Sequence, residues 1–76
     1  MQRFFFDLVA TDQRAFDYSG RYFRDTESAH QHAQILSLDS GCLDEWQGGE
    51  IEVRDPAGAR LFSVPIVPAP ELQAAA

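Results

Sequence analysis

The chain has 76 residues, with 12 acidic residues against 6 arginines and no lysine, for a formal net charge of -6. That balance excludes functions driven by phosphate neutralisation, so neither nucleic acid nor an anionic membrane surface is an expected partner. A single cysteine, Cys42, excludes an intramolecular disulfide framework and a cysteine-based zinc site, and suits a reducing, cytoplasmic setting. The apolar run Phe4-Phe5-Phe6 is cut by Asp7, which leaves no signal-peptide core and no membrane span. Size adds an energetic bound. A domain of about 60 residues buries only about 60% of its unfolded surface, so its core leaves little margin. Self-association is the simplest route to extra stability where no disulfide and no metal site are evident.

Residues 3–9 read as a strand, because alternation separates Phe4, Phe6 and Leu8 from Phe5, Asp7 and Val9. Thr11-Asp12-Gln13 supplies a turn, and residues 14–18 form a returning strand with Phe16 and Tyr18 on one side. In the register that gathers the large side chains on one face, Leu8 opposes Phe16, Phe6 opposes Tyr18, and Asp7 opposes Asp17. Asp25 is an N-cap, followed by a helix over about 26–45 on which Ala29, Ala33, Leu36, Ser40 and Leu43 form a stripe. Gly41 lies inside that stripe. The favoured reading carries the helix through it; the alternative stops there and gives Leu43 and Trp46 a separate turn. Residues 50–55 form a third strand with Ile51 and Val53 inward, Asp55-Pro56-Ala57-Gly58 a turn, and residues 60–64 a fourth strand. Past residue 66, the Pro- and Ala-rich stretch 67–76 reads as a disordered tail.

The order ββαββ predicts an α+β fold of one domain, residues 1–66: a two-layer sandwich with a four-stranded, mostly antiparallel sheet and one helix on one face. The expected strand order is 2-1-3-4, which centres the most apolar strand.

Three stretches carry a family resemblance: Met1-x-Arg3-Phe4-Phe5-Phe6-Asp7, Gly20 before Asp25-x-x-x-Ala29, and Val53-Arg54-Asp55-x-x-Gly58. In them the chain resembles a family of short bacterial proteins known only as a domain of unknown function. The likeness covers roughly residues 1–66 and departs at Ser40-Gly41-Cys42 and in the tail. It implies the fold order and carries no activity, cofactor or site residue.

Asp7 and Asp17 are the sharpest chemical feature, since opposed carboxylates repel unless neutralised. Arg54 and Arg60 are placed to do so, which makes an ion-pair network the first reading and a ligand or metal site the second. His30 and His32 point about 200° apart on a helix and cannot share a metal. Glu27 and His30 have a ligand spacing but lack the further carboxylates a di-metal site requires. Cys42 has acidic neighbours in Asp39, Asp44 and Glu45, which disfavour a reactive thiolate. Trp46 reads as a lid on the core. Phe5, Val9, Phe62 and Val64 are expected on the sheet face that the helix leaves open, where they form a candidate interface. No catalytic residue, cofactor site or metal site is assigned. The functional expectation is a non-enzymatic interaction domain, a homodimer or the partner of another protein, joined through the open face or a sheet edge. Alternatives are an acidic regulator that mimics nucleic acid, and a ligand module at Asp7 and Asp17.

Overall fold

The computed structural model describes residues 1–67. It comprises β1 (Gln2–Val9), β2 (Arg14–Ala15), β3 (Arg21–Phe23), α1 (Thr26–Ser40), a 3-10 turn (Asp44–Trp46), β4 (Glu50–Arg54) and β5 (Arg60–Pro65). The fold is α+β, with one helix packed on an antiparallel sheet of order β2-β1-β4-β5. A fifth strand, β3, pairs with β1 on the edge that β2 also occupies. The apolar strand β1 is therefore internal, as its composition requires.

The first hairpin departs from expectation by one residue. Leu8 pairs with Ala15 and Val9 with Arg14, because Ala10 N–H donates to Gln13 C=O and lengthens the loop. In this register a continued strand would set Asp17 opposite Phe6, inside the apolar layer. Burying a carboxylate there is costly. The strand stops at Ala15 instead, and the chain bows out before rejoining β1 at Arg21. Phe16 and Tyr18 consequently face water, at 50% and 84% exposure, rather than the core.

The helix also ends early, at Ser40, and not near residue 45. Gly41 is the C-cap, and the site admits only glycine. A Cβ at that position would come within 1.7 Å of the Val67 carbonyl oxygen, so the chain leaving β5 occupies the helix flank there. Leu43 is exposed, while Trp46 is buried in the 3-10 turn and closes one end of the core. The buried face of α1 is made of small residues, Ala29, Ala33, Ser37 and Ser40. Bulk comes from the sheet side: Phe4, Phe6, Ile51, Val53, Val64 and Ile66. Ser37 is a buried polar exception with both capacities used, donating to Pro65 C=O at 2.5 Å and accepting from Val67 N–H at 3.3 Å. Ile66 adds a bond from its N–H to Gly49 C=O, so the domain runs at least through Val67. The remainder of the expected tail, 68–76, lies outside the described residues.

Candidate functional site

On the sheet face away from α1, β1 presents Phe5, Asp7 and Val9 beside Arg54, Glu52 and Glu50 of β4. Phe62 and Val64 are not on that face. They pair with Val53 and Ile51, so the same alternation that sends those two inward sends Phe62 and Val64 against the helix. The expected apolar interface thus reduces to Phe5 and Val9. A bulge between Val53 and Arg54 takes up the extra residue at the start of β5. Arginines cover much of the rest. Arg14 pairs with Glu52 at 3.4 Å and Arg60 with Glu50 at 3.6 Å, both solvent-screened contacts of small energetic weight.

The third pair differs in kind. Asp7 is 0% exposed and receives a forked contact from Arg54, Nε to Oδ2 at 2.6 Å and a terminal guanidinium nitrogen to Oδ1 at 3.0 Å. Asp17 does not oppose Asp7 across a ladder. Its backbone N–H donates to Asp7 Oδ1 at 2.9 Å, and its C=O accepts from Arg54 at 3.3 Å. The Asp17 carboxylate stands in for a missing strand: Oδ2 accepts from Phe6 N–H, the donor a continued β2 would have satisfied, at 3.1 Å. Oδ1 accepts from Ser19 and Gly20 N–H, each at 3.0 Å. Gly20 is required by its φ of +71° and by Phe4 C=O, 3.0 Å from where a Cβ would stand. Burial raises the Asp17 pKa, but the amides of Gly20, Phe6 and Ser19 and the charge of Arg54 outweigh it, leaving the carboxyl below its ordinary value. The structure therefore brings Asp7, Asp17 and Arg54 together as a clamp and leaves out Arg60, which bonds Ser63 and pairs with Glu50. All four carboxylate oxygens have protein partners. The arrangement holds a loop in place and has no oxygen without a partner to offer a ligand.

What the clamp holds is an aromatic edge. Phe16 and Tyr18 lie 6.3 Å apart between ring centroids, with the Arg14 guanidinium over Phe16 at 5.3 Å. Tyr22 of β3 is 60% exposed, and Arg3 spans Phe5 and Tyr22 while bonding Ser19 C=O. These contacts are the ones expected of an arginine-aromatic surface. Sequence periodicity assigned Phe16 and Tyr18 to the face of large side chains. The spacing Asp17-x-Ser19-Gly20 carried the missing signal, since an Asp that accepts from amides two and three residues on makes a turn rather than a strand.

The other sequence candidates are separate. His30 is exposed beside Phe62, with ring centroids 5.2 Å apart, whereas His32 is half-buried at 4.9 Å from Phe6 and 5.2 Å from Phe23. Burial, then Arg21, pushes the His32 pKa down. Cys42 is exposed, its thiol 3.7 Å from Leu38 C=O. Among the described residues no helix is long and apolar enough to cross a membrane, and no group of three or more His, Cys, Asp or Glu side chains is placed to hold a metal.

Neither a curated protein nor a solved structure matches the chain. Residues 3–67 match the family described as Domain of unknown function (DUF6894). The matched span runs from β1 to the segment bonded to Ser37 and so contains both the clamp and the aromatic edge, and the chain belongs to the DUF6894 family.

Proposed function

We propose that this chain is a small non-enzymatic interaction domain that associates with a second copy of itself along the edge formed by β2, residues 16–20 and β3. The supporting observation is that Phe16, Tyr18 and Tyr22 are exposed on a segment whose backbone is fixed by Asp7, Asp17 and Arg54. Tyrosine and arginine are the residue types that anchor protein interfaces, and a preordered loop loses little entropy on binding. Burial of about 25 cal/mol per Å² against a second copy would add to a core that is small for its chain. The interruption of the edge strand blocks a continuous backbone ladder there, so the contact is made by side chains. A nucleic-acid mimic would need carboxylates gathered on one face; Asp7, Glu50 and Glu52 pair with arginines, while Asp25 and Asp55 accept from Ser28 and Ala59 amides.

Sedimentation velocity across a concentration series tests the reading. The expected result is a monomer-dimer equilibrium in the native chain and its loss in a Phe16→Ser, Tyr18→Ser variant. A native chain that stays monomeric to about 1 mM, or a variant that associates equally well, overturns it.

A further inference from the structure

Beside the aromatic edge, an open cleft of about 450 Å³ separates the 16–20 segment from α1. Its apolar lining includes Phe6, Phe16 and Leu36, with His32 on the helix side. Arg21 lies at its border and makes no ion pair among the described residues, unlike Arg14, Arg54 and Arg60. The carboxylate that borders the cleft, Asp17, has its oxygens turned to the amides of Phe6, Ser19 and Gly20. An uncommitted guanidinium beside apolar and aromatic walls is complementary to a planar apolar group that ends in a carboxylate. We propose that this cleft binds a small aromatic carboxylate, with Arg21 taking the carboxylate and the ring lodged between Phe16 and Leu36. His32, whose pKa lies below the ordinary histidine value, is a neutral aromatic wall at pH 7 and does not compete for the anion. The cleft shares Phe16, Gly20 and Arg21 with the edge proposed for self-association but not Tyr18, so a second copy would compete with the ligand.

The test is an amide NMR titration in low salt, using phenylacetate as probe and phenylacetamide as its uncharged counterpart. A Tyr18→Ser background keeps a second copy from competing. Saturable shifts at Gly20, Arg21 and His32 are expected, with phenylacetamide weaker by about tenfold and Arg21→Gln weakening phenylacetate by a similar factor. Arg24→Gln, a nearby arginine outside the lining, is expected to bind as the parent does. The absence of saturable shifts, equal binding of the amide, or an unchanged affinity in Arg21→Gln would each overturn the assignment. Both arginines are exposed, so the variants keep the fold, and the spectra themselves verify it.

Discussion

Arg54 reaches over the sheet to a carboxylate that water does not touch, and removing it leaves the Asp7 charge stranded. Loss of one partner from a buried pair costs about 3–5 kcal/mol, and here one backbone donor, Asp17 N–H, remains. Arg54→Met is therefore expected to lower the urea-unfolding free energy by about 3 kcal/mol. The double variant Asp7→Leu, Arg54→Met should be less destabilised than Arg54→Met alone, because no unpaired charge is left. A double variant worse than the single would show that the pair is not the source of the loss. Asp17 gives a pH signature. Its folded pKa is depressed, so its contribution is fully present above the unfolded value of about 3.9 and is lost as pH falls through the lower folded value. Asp17→Asn should be less stable at neutral pH and show a shallower loss of stability below about pH 4. His32 has the same sign: its neutral form is favoured by folding, so stability drains as pH falls from about 6.5 toward its lower folded pKa. Replacing Arg21 by Gln removes one of the two causes, and an NMR titration should place the His32 midpoint higher in that variant.

At the scale of elements, the alternations of β1 and β4 and the Asp25 cap were legible from residue order, and all three form as expected. The break in the second strand was not, because Phe16 and Tyr18 have the spacing of a strand. The event that decides against it is a clash of Asp17 with the Phe6 layer, visible only once the register is known. Phe62 and Val64 were misplaced for a related reason. A run such as Leu61-Phe62-Ser63-Val64 alternates either way, and only pairing with Val53 and Ile51 fixes which side is inward. The helix end follows the alternative that glycine's low propensity offered, a stop at Gly41 with Trp46 in a separate turn; the contact of Val67 against Gly41, far along the chain, is the part residue order did not show. Ser37→Ala tests that docking. It leaves Pro65 C=O and Val67 N–H without their shared partner, and should destabilise by about 1–3 kcal/mol while speeding amide exchange at Val67. By contrast Ile35→Gln, on the exposed side of α1, should stay within about 0.5 kcal/mol of the parent.

For the molecule as a whole, acidity and smallness take on separate meanings. Three carboxylates pair with arginines across the open sheet face, Asp25 and Asp55 accept from backbone amides, and Asp12, Asp44 and Glu45 lie together around a separate pocket, away from the aromatic edge. Two copies each carrying -6 repel at long range, and salt screens that repulsion. Self-association is accordingly expected to tighten between about 50 and 500 mM salt, read by sedimentation equilibrium; weakening with salt would point to a contact made by ion pairs. We propose that a buried clamp holds out an aromatic edge for a second copy. It is tested most directly by an amide NMR dilution series of the native chain. Concentration-dependent shifts confined to β2, residues 16–20 and β3 are expected; shifts confined to β5, or none up to about 1 mM, would overturn it.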